Sequence, residues 1–283
     1  MIRLGFHMSI AGGVSMAAEN ACGSGYRTFQ IFTSNARSWR RSMISDEEAM
    51  KFRRNVKKCG TVPYAHIPYL CNPSSPNKEV GRRSLDMLIS NMESCSHLGI
   101  KYLVVHMGSH LGSGHKLGSS SLSKIIGSAL DAEGSTGILL ENSAGYANSV
   151  GSRFEQMGAA IDEIGSGRLG VCLDTCHAFA AGYDLHTAEG VQRCSDEFDS
   201  SIGSSRLKLV HLNDAKYPLG SGLDRHWHVG KGFIGTEGFT RLFMDRRFGR
   251  GCFIMETPVN EQGNELSNLR AAERIIRAAR RAR

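Results

Sequence analysis

Short runs rich in β-branched and aromatic residues recur along the chain and predict strands at Ile2–Phe6, Thr28–Phe32, Thr61–Ala65, Tyr102–Val105, Gly137–Leu140, Leu169–Leu173, Leu207–Leu212 and Cys252–Met255. Between them, segments of helical spacing or composition predict helices at Gly13–Ser24, Asp46–Cys59, Arg82–Leu98, Ser121–Ala132, Phe154–Ile164, Ala188–Ser200, Thr236–Met244 and Leu266–Ala279. Strand-then-helix units follow one another with no linker or shift of composition. This predicts an α/β fold, one closed (β/α)8 TIM barrel, as a single domain over residues 1–283. An open nucleotide-binding sheet would carry Gly-x-Gly-x-x-Gly after its first strand, and HMSIAGGVS after Phe6 lacks it. The stretch Gly108–Ser121, rich in glycine and serine, directly follows a strand and is read as a long loop on the active face.

Composition narrows the class. Hydrophobic residues make up 41% and charged residues 22%, which excludes a disordered or collagenous chain. The 33 glycines are scattered, as suits a fold with many tight turns. Lysine plus arginine number 34 against 27 acidic residues, a net charge of +7 that attracts polyanions such as nucleic acid and equally suits an ordinary basic enzyme. No apolar run approaches the roughly 18 residues of a membrane span. The N-terminus turns to small and polar residues too soon for a signal peptide, so a soluble, intracellular protein is expected. Cys22, Cys59, Cys71, Cys95, Cys172, Cys176, Cys194 and Cys252 have no Cys-x-x-Cys spacing, and are expected to be reduced, mostly buried thiols.

Catalytic groups of such barrels gather where the strands end, because only those ends converge on one mouth. The third strand ends at His66, the fourth at His106, the fifth at Glu141, the sixth at Asp174 with His177 just beyond, the seventh at His211 and the eighth at Glu256. The loop SGLDRHWHVG adds Asp224 and His226, two residues apart and able to reach one ion from an extended segment. Any one of these alone reads best as a hydrogen-bonded loop residue. All of them around one mouth would be costly to bury unless they pair or coordinate cations, which points to a multinuclear metal centre.

Imidazoles mixed with carboxylates suit zinc best, with manganese or iron as substitutes, and cysteine is not among the expected ligands. Three divalent ions would bring about +6 against −4 from Glu141, Asp174, Asp224 and Glu256, leaving roughly +2 to meet a phosphodiester and its transition state. Hydrolytic phosphoryl transfer is therefore expected, with Glu141, Glu256 and Asp174 as the catalytic carboxylates and no dedicated protein nucleophile. Asp214 in HLNDAK and Thr175 in LDTCH are candidates for fixing ligand tautomers, though either also suits a cap or turn.

The motifs GFHMSIAGG, HIPYLCNPSSPN, HMGSH, LLENSAG, GVCLDTCHAFAAGYD, HLNDAK, DRHWHVGKGFIG and METP run along almost the whole chain, and with them the sequence resembles the endonuclease IV family. The resemblance implies a zinc-dependent apurinic/apyrimidinic endonuclease of base-excision repair. Such an enzyme nicks duplex DNA 5′ to an abasic site, leaves a 3′-hydroxyl and a 5′-deoxyribose phosphate, and trims blocked 3′ ends. It implies three ions: the first on His66, His106 and Glu141, the second on Glu141, Asp174, His211 and Glu256, the third on His177, Asp224 and His226. It also implies that Arg37, Tyr69 and Leu70 enter the minor groove and fill the stack, where loop packing would otherwise be the simpler reading.

The expected partner is double-stranded DNA with abasic sites or blocked 3′ ends, engaged by a monomer and with no membrane. Basic clusters fit it: Arg37, Arg40 and Arg41; Arg53, Arg54, Lys57 and Lys58; Arg82 and Arg83; and the arginines from Arg270 to Arg283, these last read chiefly as an outer helix face. Three residues depart from the family. Tyr146-Ala147 follows Ala144-Gly145 where Gln-Gly is common, and Met107 stands where proline is frequent. The alternatives are a two-metal sugar isomerase or epimerase on a related barrel, which would leave His177, Asp224 and His226 idle, and a non-cleaving abasic-DNA binder, which would tolerate lost ligands.

Overall fold

The computed structural model describes residues 2–41 and 43–282, so Arg283 of the basic tail lies outside the described residues. Its barrel strands are β1 (Ile2–Phe6), β2 (Thr28–Phe32), β3 (Val62–His66), β4 (Tyr102–His106), β5 (Gly137–Glu141), β6 (Leu169–Asp174) and β7 (Leu207–His211). A short hairpin, β8 (Asp214–Ala215) with β9 (His226–Trp227), precedes the last barrel strand, β10 (Gly251–Met255). The eight barrel strands form one parallel sheet in the order β1-β10-β7-β6-β5-β4-β3-β2, the (β/α)8 barrel that the strand and helix rhythm predicts. Burial on both faces explains why the strands read as continuous apolar runs.

The barrel meets itself between β1 and β2, where His7 bridges to Gln30 and the Met8 N–H donates to the Gln30 carbonyl at 2.7 Å. Gly5 makes that approach possible. A Cβ there would lie 1.6 Å from the Thr28 carbonyl oxygen, so any larger residue forces the strands apart.

A plug of Tyr64, Val104, Leu139, Cys172, Leu209 and Ile254 fills the lower barrel. Two residues beyond each plug residue, and so on the same inward face, stand His66, His106, Glu141, Asp174 and His211 at the ends of their strands and Glu256 just past β10. The apolar layer below and the ligand layer above come from one period-two pattern. A larger core, including Phe29, Phe52, Phe154, Phe198 and Phe253, lies between the sheet and its helices.

Those helices are α1 (Val14–Gly23), α2 (Asp46–Cys59), α3 (Lys78–Leu98), α4 (His115–Ala132), α5 (Phe154–Ile164), α6 (Thr175–Ala180), α7 (Ala188–Ser201), α8 (Gly235–Met244) and α9 (Glu265–Ala282). The helix expected from Arg82 begins at Lys78, because Asn77 caps it by accepting from the Glu79 and Val80 N–H groups. The loop expected over Gly108–Ser121 ends at Gly114, where α4 starts. α9 buries Ala272, Ile275 and Ile276 and leaves Arg270, Arg274 and Arg277 exposed or half-exposed.

One expectation fails outright. Cys22 on α1 and Cys59 on α2 form a disulfide, with Cα atoms 5.8 Å apart, so the eight cysteines are not all reduced. The two helices pack side by side and bring these ends together. The remaining six cysteines are free and buried, as expected. Among the described residues no helix is long and apolar enough to cross a membrane.

Candidate metal centre

All nine expected ligands meet at the mouth where the strands end. His66 Nε2 and His106 Nδ1 face Glu141 Oε2 at 3.1 and 3.2 Å. His211 Nδ1 lies 2.9 Å from Glu141 Oε1, 3.4 Å from Glu256 Oε2 and 3.8 Å from Asp174 Oδ2. His177 Nε2 and His226 Nε2 approach Asp224 Oδ1 at 3.2 and 3.3 Å, and His226 Nε2 is 3.5 Å from Asp174 Oδ2. Glu141 lies between two of these groups, with Oε2 toward His66 and His106 and Oε1 toward His211.

Tautomers decide whether imidazoles can act as ligands, because a ring nitrogen must be unprotonated to coordinate. His66 Nδ1 donates to the Ile67 carbonyl at 2.7 Å, His177 Nδ1 to the Asn142 carbonyl at 3.0 Å, and His226 Nδ1 to the Glu256 carbonyl at 3.2 Å. Each thereby turns an Nε2 lone pair toward the carboxylates. The Nε2 atoms of His177 and His226 are buried with no hydrogen-bond partner. Buried nitrogens orphaned beside carboxylates are what a cation would satisfy, so the donor set fits metal binding.

Electrostatics agree with that fit. Burial alone would raise the Glu141 pKa, but His106 and His211 hold it well below the usual carboxylate range. Burial likewise works against a charged His177, yet Asp174 and Asp224 pull its pKa well above the ordinary value, so these carboxylates favour a positive charge at that point, and a bound cation would take the place of the proton. Cys172 lies within ligand distance of Glu141 and His211, but burial pushes its thiol up to about 12.

The centre opens into a hollow of about 480 Å³ bordered by His7, Phe32, Tyr69, Arg225 and Pro258 as well as ligands. A second hollow of about 220 Å³ shares Tyr69, His106, His177 and Asp224 with it and reaches Tyr146 and Met107. Tyr69 is 63% exposed and Leu70 36%, so both side chains are available above the mouth. The Tyr69 N–H donates to the Ala36 carbonyl at 3.1 Å, which joins its loop to the one bearing exposed Arg37.

Comparison with known proteins bears on this geometry. The family model described as a xylose isomerase-like TIM barrel matches residues 18–281. The chain is 45% identical over 279 residues to a probable endonuclease 4 of Cenarchaeum symbiosum, covering 97% of this chain and 99% of that one. It is 39% identical over 269 residues to a probable endonuclease 4 of Thermotoga maritima, covering 94% and 93%. The solved endonuclease IV of Thermus thermophilus superposes with a TM-score of 0.86 at 36% identity, covering 99% of this chain and 100% of that one. The chain belongs to the endonuclease IV family. A D-tagatose 3-epimerase-like protein, with a TM-score of 0.71 at 20% identity, shares the fold alone.

In this endonuclease IV family member, the groups that orient the ligands differ from the two expected. Asp214 accepts from the N–H groups of Gly230, Gly232, Ile234 and Ala215 at 2.8–3.0 Å and so clamps the loop after β9. Thr175 donates to the Asn213 carbonyl at 2.7 Å and touches no ligand ring. The side chains that hold Asp174 in place are instead Asn142 and Asn213. Asn142 Oδ1 accepts from the Asp174 N–H at 2.7 Å, and Asn213 Nδ2 donates to Asp174 Oδ2 at 2.7 Å. Each asparagine directly follows, or lies two residues past, a strand-end ligand, a signal legible in LLENSAG and HLNDAK. Arg225, next to Asp224, was likewise readable as a cation at the mouth.

Proposed function

We propose that this chain is a metal-dependent apurinic/apyrimidinic endonuclease. On this reading it hydrolyses the phosphodiester 5′ to an abasic site in duplex DNA, leaving a 3′-hydroxyl and a 5′-deoxyribose phosphate, and trims blocked 3′ ends. The names and near-complete coverage of its relatives support the assignment. The observation that carries it is the His177–Asp224–His226 group, whose two orphaned Nε2 atoms have no use in a two-ion sugar isomerase.

His66, His106 and Glu141 would hold one ion, Glu141, Asp174, His211 and Glu256 a second, and His177, Asp224 and His226 a third. Zinc is the first choice and manganese or iron are substitutes, because the donors mix nitrogen and oxygen without thiolate. When bound, such ions activate water and stabilise charge on a phosphodiester in its transition state.

The chain's own residues complete the work. Glu141, Asp174 and Glu256 supply the negative charge that holds the centre together. Arg225 borders the hollow beside the centre, and its guanidinium would pair with a phosphate oxygen of the DNA. Tyr69, Leu70 and Arg37 would enter the minor groove and occupy the gap left by the extruded sugar, offsetting the unstacking of a kinked duplex. One domain, acting as a monomer, contains every part required.

A duplex end-labelled on one strand and carrying a single abasic site tests the reading. The expected product is one nick 5′ to the lesion with a 3′ end that a polymerase extends, abolished by chelator. A nick on the 3′ side, or an intact duplex alongside turnover of a ketose, would overturn it.

A further inference from the structure

Gln30 is fully buried in a strand whose other members are apolar or packed against neighbours, TFQIF, and burying an amide there is costly unless every polar atom is matched. It is matched completely. Nε2 donates to Glu256 Oε1 at 2.8 Å and to His7 Nδ1 at 3.0 Å, and Oε1 lies 2.9 Å from His211 Nε2. The reverse orientation of the amide would set its oxygen against the Glu256 carboxylate, so that acid fixes which end is which. Because an amide oxygen only accepts, His211 must carry its proton on Nε2. That leaves Nδ1, the atom facing Glu141, Glu256 and Asp174, as the nitrogen a cation would take in place of a proton.

We propose that Gln30 is a positioning residue for the group of Glu141, Asp174, His211 and Glu256: one side-chain amide sets the His211 tautomer and at the same time aims the Glu256 carboxylate. The inference rests on the metal reading above and names a residue that reading does not use. His66, His177 and His226 take their orientation from backbone carbonyls, which no substitution removes. His211 takes its orientation from a side chain and can be tested directly. Position favours the role too: Gln30 and His7 form the bridge where β1 and β2 close the barrel, each two residues along its strand from Thr28 and Gly5, in the ligand layer. His7, as an acceptor from Gln30, braces the amide from the other side.

Two measurements test this. In the first, wild type and Gln30→Met, similar in length but without hydrogen bonds, are loaded with zinc and titrated with a competing chelator. The expected result is three ions on wild type and, on the variant, one ion weakened about 10- to 100-fold with the others unchanged. Equal affinity for all ions in both proteins overturns Gln30's role. A wild-type chain that binds fewer than three ions overturns the metal reading and this inference with it.

The second measurement needs no variant at Gln30 and holds even if Gln30→Met fails to fold. Nitrogen-15 spectra of zinc-loaded wild type, with His211 assigned by its loss in His211→Asn, should report a proton on Nε2 of His211. A proton on Nδ1 instead contradicts the proposal.

Discussion

His177 and His226, from α6 and from the hairpin strand β9, set their Nε2 atoms on the same oxygen of Asp224, at 3.2 and 3.3 Å. Two elements distant in the chain thus share one carboxylate, each with its Nδ1 committed to a carbonyl and its Nε2 turned toward Asp224. Asp224→Ala should therefore remove one ion, leaving about two per chain by elemental analysis. Abasic-site cleavage should fall roughly 10²- to 10³-fold or more, the scale of losing one charge-stabilising cation. Three ions and undiminished cleavage in that variant would show that Asp224 is not a ligand.

Glu141 touches both His66 and His211, one with each carboxylate oxygen. Glu141→Gln keeps the shape but loses the charge between two ions, so cleavage should be abolished. Affinity for abasic duplex, measured in a binding titration, should stay within a few-fold of wild type, because the DNA-facing loops are untouched. Unchanged cleavage would count against a bridging carboxylate.

Tyr69 packs edge-on against Phe32, with ring centroids 5.3 Å apart, and remains largely exposed. If it and Leu70 fill the stack, replacing both with alanine should raise KM for an abasic duplex by about 10-fold or more, since one stacked ring is worth roughly 1–3 kcal/mol. Metal content should not move. A KM equal to wild type would return both residues to loop packing.

Cys22 and Cys59 close a loop of sequence separation 37. The loop-closure model assigns such a cross-link about 3–4 kcal/mol through the unfolded chain. Cys22→Ser should lower thermal stability, and reductant should lower wild type to match it. A variant as stable as oxidised wild type would mean that the bond contributes nothing to the fold.

How far the sequence could be read follows from these same residues. Six of the barrel strands were legible because the apolar run stops at, or one residue short of, a residue of ligand chemistry, so Tyr64 with His66 or Leu139 with Glu141 mark both the inward face and its end. α6 was not, since TCHAFA is six residues long with no period to detect, and its cap is Asp174 at the end of β6, which accepts the His177 N–H at 2.8 Å. The start of α4 was hidden in a run of glycine and serine. The β8–β9 hairpin is two residues a side, below any pattern. Nothing in the sequence singles out Gln30, because its three partners come from the ends of β1, β7 and β10, far away in sequence. The disulfide was missed for a similar reason: only the packing of α1 on α2 brings its halves together.

The central claim is that nine side chains hold three cations used to cut DNA at abasic sites. Its most direct test is metal content per chain, by elemental analysis on dialysed protein, read alongside nicking of an abasic duplex by the same sample. Three transition-metal ions, with nicking that disappears on chelation and returns on adding zinc back, is the result expected. Two ions or fewer, in a sample that leaves the duplex intact and epimerises a sugar, would contradict it.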